Sequence, residues 1–205
     1  GFGAPYDMEK IKTVGIAISH RQTAKDVWQK TKRVFERHKI KTTVTSELDL
    51  EKLKQNQAFL KSDIIAVFGG DGSFLKVCQA VLDSTPVFLV GCGERNKLQT
   101  ISAQSAGEQL DFVLSGKFRR EKRDRLQANL AGAPPALNEI VVTPKTPATV
   151  LHYELFLSEK KEWHDYSDGV IVATPTGSNA YFSSAGGPRL EQNAPLIGIA
   201  SLNSL

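Results

Sequence analysis

The run "DIIAVF", residues 63–68, is apolar at every position after its first. A strand of that kind is buried on both faces, which is the condition of strands in a parallel sheet covered by helices. Its surroundings fit the same architecture. "TVGIAIS" (13–19) is a β-branched apolar run and reads as a strand. Residues 23–39 place Val27, Trp28, Thr31, Val34, Phe35 and His38 on one helical stripe. "KTTVTS" then reads as a strand, "LEKLKQNQAFL" as one short helix, "SFLKVCQAVLD" (73–83) as a helix, "PVFLVG" (86–91) as a fourth strand and "AQSAGEQLDFVLSG" (103–116) as a helix. Strand and helix alternate, which predicts an α/β domain with a parallel sheet. After about residue 118 the pattern changes to extended segments: "LQANLAG", "NEIVVTP", "GVIVATP", and "LHYELFLSEKKEWHDYS" as two strands joined at a charged turn. The expected organisation is an α/β domain over 8–118 and a β-rich domain over 119–205.

Composition narrows the function classes. In 205 residues, 40% are hydrophobic and 23% charged, as in a soluble globular chain with a sizeable core. No apolar run approaches the roughly 18 to 20 residues that span a bilayer, so no membrane association is expected. The seven residues "GFGAPYD" before Met8 have no secretory pattern and read as extraneous to the fold. Two cysteines, Cys78 and Cys92, without a spacing motif predict free thiols and a cytoplasmic setting. Four scattered histidines predict no protein-held metal. Net charge is +4, and the densest basic stretch is "KFRREKRDR" (117–125). It reads as a solvated connection or as an attraction for an anionic substrate; without interleaved aromatics it does not predict nucleic-acid binding.

Three stretches carry chemistry. "FGGDGSFLK" (68–76) surrounds Asp71 with Gly69, Gly70 and Gly72 at a strand-to-helix junction. Either the backbone turns there through positive φ, which glycine tolerates, or bare backbone admits a polyanion. The junction puts Asp71 at the carboxyl end of the sheet, where open α/β sheets bind ligands, with the N–H groups of Gly72 and Ser73 expected to face a phosphate. It is neither a Walker loop nor a GxGxxG fingerprint. In "LNEIVV" (137–142), Asn138 and Glu139 open an apolar strand, either as a strand-edge cap or as a ligand contact. "SDGVIVATPTGSNAYFSSAGGP" (167–188) gathers hydroxyls, amides and glycines around one strand, suiting a polyhydroxylated ligand such as a nucleotide rather than a flexible linker.

Taken in order and at these intervals, "GGDGSFL", "NEIVV" and the long third stretch resemble the NAD kinase family, from about Val14 to the last residue. The resemblance implies an α/β domain followed by a β-sandwich-like domain, with NAD held between them. It also implies transfer of the ATP γ-phosphoryl group to the 2′-hydroxyl of the adenosine ribose, with Mg²⁺ arriving on ATP and no protein metal cage. Carried over by position, Asp71 falls on the catalytic aspartate and Lys76 near the phosphate; Gly69, Gly70, Gly72 and Ser73 form the phosphate loop. Asn138 and Glu139 fall on the ribose and adenosine contacts and Asp168 on the nicotinamide end. Thr176, Asn179, Ala180, Tyr181 and Ser184 fall on adenine and ribose contacts, and Gly72, Phe74, Thr149 and Tyr166 complete the implied NAD-binding set.

The chain departs from the family in three places. After the fourth strand the family pattern Gly-x-Asn-x-Gly-x-Leu-Gly-Phe-Leu is replaced by "GCGERNKLQTIS" (91–102), and Asn179 stands where threonine is usual. The chain also ends at "IGIASLNSL", where members of the family continue with more strands. The second domain is therefore expected to be incomplete, with an apolar strand edge covered by a continuation or by a second copy in a dimer or tetramer. Two alternatives stay open from the sequence: a non-catalytic NAD or NADP-binding module, and another GGDG-loop kinase acting on a lipid or sugar.

Overall fold

A computed structural model describes residues 11–205; the "GFGAPYD" stretch and Met8 lie outside them. The chain divides into two compact units, one ending at Glu121 and the other running from Lys122 to Leu205.

The first unit is built on β1 (Thr13–Ile18), β2 (Lys41–Thr45), β3 (Ile64–Gly69), β4 (Val87–Gly91) and β5 (Ile101–Ser102). All pair in parallel, in the order β2-β1-β3-β4-β5. The sequence runs outward to β2 on one side of β1 and outward through β4 on the other side of β3, so the topology switches between β1 and β3. Alternate residues of these strands serve two cores. Val14, Ile16 and Ile18, with Ile64, Ala66, Phe68 and Val90, pack against Phe35 of α1 (Gln22–Arg37) and Leu110 of α5 (Ala106–Leu114). The opposite face of the sheet carries the buried Ala17, Ile65, Val67 and Leu89. It is covered by α2 (Leu50–Gln55), α3 (Gln57–Leu60) and α4 (Asp71–Ala80), whose Leu53, Phe59 and Val77 are buried. The apolar run of β3 follows directly from burial on both faces. Gly15 lets α3 lie against β1, since a Cβ there would stand 2.9 Å from the Phe59 ring and 2.9 Å from its carbonyl oxygen. His38 and Arg37, at the end of α1, both reach the Asp111 carboxylate on α5, at 2.8 and 2.6 Å.

Two helices differ from the sequence expectation. Residues 50–60 form two helices rather than one, because the Asn56 side chain accepts the Phe59 N–H and starts a new helix where α2 ends. The helix expected over 73–83 begins at Asp71 and ends at Ala80, where Val81 turns to extended backbone. An acidic residue in the first turn suits the helix dipole despite its glycine neighbours. Among the described residues, no helix is long and apolar enough to cross a membrane.

The second unit is β-rich and antiparallel. β6 (Glu139–Val142), β9 (Gly169–Ala173) and β10 (Gly198–Leu202) form a sheet in the order β10-β9-β6, and β7 (Leu151–Leu157) pairs with β8 (Lys160–Ser167) as a separate hairpin. The expected "LQANLAG" strand is reduced to one bridge, Leu126 to Ala136. A short helix α6 (Tyr181–Ser184) sends the buried Phe182 onto Ile171 and Ala173. Gly187 and Gly198 make room for that ring: a Cβ at either would fall within 2.5 Å of its atoms.

Candidate functional site

In the first unit the carboxyl ends of the parallel strands open into a cleft of about 1160 Å³ at the topological switch. It is lined by residues following β1 (Ser19, His20, Arg21, Thr23), β2 (Glu47–Asp49, with Lys52), β3 (Gly70–Ser73, with Lys76) and β4 (Cys92–Asn96). Five basic side chains border it, His20, Arg21, Lys52, Lys76 and Arg95, against four carboxylates, Glu47, Asp49, Asp71 and Glu94. Lys52 is paired with Glu47 at 2.7 Å, and Asp49 accepts backbone N–H groups at the start of α2.

Asp71 is the first residue of α4 and is half-buried. Its Oδ2 accepts the Lys97 N–H at 2.9 Å and its Oδ1 the Leu98 N–H at 3.1 Å. A carboxylate oxygen has two acceptor positions, so each oxygen keeps one for another donor. The loop that carries Lys97 and Leu98 is the segment that departs from the family pattern, and residue spacing gave no sign that it would meet Asp71.

The glycines around Asp71 do not have the conformation that a sharp turn would require. Among the described glycines only Gly116, Gly132 and Gly186 have positive φ. At Gly69 the reason is close packing: a Cβ would stand 3.1 Å from Ser19 Cβ and from Ser73 Cβ and Oγ. At Gly72 a Cβ would meet nothing within 4 Å, so neither packing nor positive φ requires the glycine there. The expected pair of N–H donors also changes. Ser73 N–H already donates to the Gly70 carbonyl at 3.0 Å, so helix geometry leaves Asp71 and Gly72 as the N–H groups ahead of the first intrahelical bond. Phe74 is buried in the core of its unit, whereas Lys76 is exposed at the cleft.

In the second unit the "TPTG" turn is folded onto the start of β6. Thr174 Oγ1 donates to the carbonyls of Leu137 (2.6 Å) and Asn138 (3.1 Å) and accepts the Gly177 N–H at 3.1 Å. Gly177 lies so close to the Asn138 backbone that a Cβ would come within 2.1 Å of its carbonyl oxygen. Ser178, fully buried, donates to the Pro175 carbonyl and accepts the Leu190 N–H. Thr174, Gly177 and Ser178 thus build the turn, although sequence reasoning singled out their neighbours; a glycine two residues after a proline was the visible signal. Glu139 pairs with Ala173 directly before the turn, and the 3-10 segment Gly177–Asn179 continues from the Gly177 that packs on Asn138. Thr176 is buried and accepts a bond from Arg123 Nη1 at 3.4 Å, drawing in one residue of the basic stretch. Tyr181 and Ser184 are exposed on α6.

Asn138 Oδ1 and Glu139 Oε2 are buried and have no hydrogen-bond partner. Burial pushes the Glu139 carboxyl above the ordinary glutamate range. Unsatisfied buried acceptors are costly, which is expected where a ligand supplies the missing donors. The remaining predicted residues lie apart from this pair. Asp168 stands at the other end of β9, roughly 17 Å along a five-residue strand, and accepts a bond from Asn203 Nδ2 at 2.8 Å. Tyr166 is exposed on β8 and stacks on His152, with ring centroids 4.4 Å apart. Thr149 donates within its own loop, to the Thr146 carbonyl.

The raised Glu139 carboxyl has a pH consequence. Above the unfolded-state value the folded protein holds a proton that the unfolded chain has released, so stability falls as pH rises through the folded value. Glu139→Gln keeps the shape and removes the ionisation. In the ligand-free protein, the melting temperature of the variant relative to the parent should therefore increase from about pH 4.5 to neutrality. A difference independent of pH would show that Glu139 does not ionise in a buried site.

Residues 137–205 match the family model described as the ATP-NAD kinase C-terminal domain. An NAD kinase from Marinomonas sp. is 38% identical over 133 residues, 62% of this chain and 45% of that protein, so the chain spans about half the length of such relatives. In fold, an NAD kinase from Archaeoglobus fulgidus solved in complex with ATP superposes with a TM-score of 0.81 at 23% identity, over 94% of this chain and 73% of that one. Yeast NADH kinase solved with NADH gives 0.78 at 18% identity, over 96% and 67%. A parallel α/β unit and an antiparallel β-rich unit carrying GGDG, NE and TPTG in that order have the NAD kinase fold, and the resemblance to the NAD kinase family read from those motifs is upheld by relatives and fold alike.

Proposed function

We propose that the protein phosphorylates NAD at the 2′-hydroxyl of the adenosine ribose, with ATP as donor, to give NADP. The observation that carries this reading is the pair of buried, unpartnered acceptors, Asn138 Oδ1 and Glu139 Oε2, beside the TPTG turn. Two acceptors without donors suit ribose hydroxyls, and a charged hydrogen bond of that kind is typically worth about 1.5 to 3 kcal/mol. We assign the adenine and ribose contacts to Thr176, Asn179, Ala180, Tyr181 and Ser184, on the turn and α6 that follow β9. Asp168, Tyr166 and Thr149, at the far end of the unit, suit the nicotinamide half of an extended dinucleotide. The cleft of the first unit, with Gly69, Gly70, Gly72, Ser73 and Lys76, receives the phosphoryl chain.

Phosphoryl transfer asks the protein chiefly for positioning and for stabilisation of charge. Asp71 offers one free acceptor position on each carboxylate oxygen and takes the proton of the attacking hydroxyl. A divalent ion on the donor phosphates, which we take to be Mg²⁺, would supply charge neutralisation, and Asp71, at the start of α4, is the cleft carboxylate that would take the proton beside it. The test is incubation with NAD, ATP and Mg²⁺ and assay of NADP. Asp71→Asn should lower turnover by about 10² to 10⁴-fold while NAD affinity stays within threefold. Turnover within a few-fold of the parent would reduce Asp71 to an orienting group. A second reading, NAD binding without transfer, is favoured by the engagement of both Asp71 oxygens with backbone N–H groups; NAD bound with no NADP formed would select it.

Gly72→Ala separates backbone approach from folding. With nothing near the added methyl, stability should hold or rise by about 0.5 to 1 kcal/mol, as for Gly to Ala in a helix. ATP affinity should fall at least tenfold, measured by calorimetry. Unchanged ATP affinity would remove Gly72 from the phosphate loop.

The setting we propose is cytoplasmic: Cys78 and Cys92 are buried and form no disulfide, and burial pushes Cys92 up to about 11, so it stays protonated. We further propose a homo-oligomer, a dimer or tetramer, assembled through the β-rich unit. Its exposed Val141, Val142, Phe156, Leu157 and Trp163 are the supporting feature. Light scattering at micromolar concentration should give at least twice the chain mass, and a monomer would exclude this assembly.

A further inference from the structure

We infer that Asn96 is a positioning residue for Asp71, acting through the loop between β4 and β5. This rests on the reading of Asp71 as the proton acceptor in phosphoryl transfer. The loop is tied at both ends: Cys92 N–H donates to the Gly69 carbonyl at 2.8 Å, and Thr100 N–H returns to the Leu89 carbonyl at 3.0 Å. Between these ties the half-buried Asn96 side chain sits among three glycines. Its Nδ2 donates to the Gly93 carbonyl at 2.8 Å. A Cβ on Gly91 would stand 2.9 Å from Nδ2, one on Gly93 3.0 Å from Oδ1, and one on Gly70 3.4 Å from Oδ1. The Asn96 amide, with the Gln99 side chain beside it at Gly91, therefore fills a seat made by the ends of β3 and β4. The two residues that follow it present their N–H groups to the two oxygens of Asp71, at 2.9 and 3.1 Å.

The chain's departure from the family pattern acquires a physical meaning here. Where that pattern has asparagine, this chain has Gly93, and the side chain of Asn96 occupies the space beside it. Without the Asn96 amide the loop loses its internal bond and the filling of its seat, and the N–H pair loses its bearing on the carboxylate. Misplacing a reacting group by about 1 Å can cost on the order of 10²-fold in rate.

A double-mutant cycle on NADP formation tests this. Asn96→Ala should lower kcat by about 10 to 100-fold with the KM values for NAD and ATP within threefold, and should cost less than threefold further in the Asp71→Asn background. A loss below threefold in the parent, or an equal loss in both backgrounds, would overturn the assignment. If Asn96→Ala fails to fold, Gly93→Ala, which presses on Asn96 Oδ1 from an existing loop, carries the same cycle with the same criteria. If the parent forms no NADP, the kinase reading fails separately, and amide hydrogen exchange decides the positioning. Exchange of the Lys97 and Leu98 N–H groups should then quicken at least tenfold in both Asn96→Ala and Asp71→Asn, and unchanged exchange in Asn96→Ala would overturn it.

Discussion

The first unit depends on how β3 ends. The carbonyl of Phe68 accepts the N–H of Ser19, and the carbonyl of Gly69 accepts the N–H of Cys92. Two bonds at the tip of the central strand thus fix where the chain leaves β1 and where it leaves β4. Because the topology reverses at this point, the helices that follow diverge and leave a cleft whose floor is the strand ends themselves. The glycines at the tip serve this meeting of three backbones. Larger side chains would hold the exits apart, and Asp71 would lose the loop that receives it.

Asp71 is the point where two kinds of order meet. Its place at the strand-to-helix junction follows from the sequence pattern, and its position as first residue of α4 suits the preference of the helix start for an acid. Its orientation comes from a segment some 26 residues later, through N–H groups that carry no side-chain signature. A carboxylate held by two backbone donors has a fixed direction and still has capacity for a third and fourth partner.

In the second unit the same economy appears with the roles reversed. The TPTG turn satisfies almost all of its own polar groups: Thr174, Gly177, Ser178 and the Pro175 carbonyl are all engaged. Against that background the oxygens of Asn138 and Glu139 stand out as buried acceptors that no group of the protein satisfies. A rigid, self-satisfied turn beside two unsatisfied acceptors has the character of a binding surface whose geometry exists before the ligand arrives.

Much of this was determined by the sequence alone. The strands buried on both faces and the amphipathic stripe of α1 were legible because burial imposes a period on residue type. The change of class after residue 118 was legible because no helical stripe separates its strands. The three motifs were legible because their residue types are unusual together. Tertiary structure decided the rest. The two residues of β5 are too few for a period and exist only because Val90 and Gly91 offer them an edge. The break at Asn56 and the early end of α4 arise from capping and from the turn at Val81, where apolar residues continue the helical pattern in sequence but not in space. The reason for three glycines around Asp71 could not be read from their number, since positive φ, close packing and open approach all select the same residue. Only the distances from Gly69 and Gly72 to their neighbours separate these causes. The loop over 91–102 was opaque for the same reason: its contribution is made by main-chain N–H groups, which every residue but proline possesses.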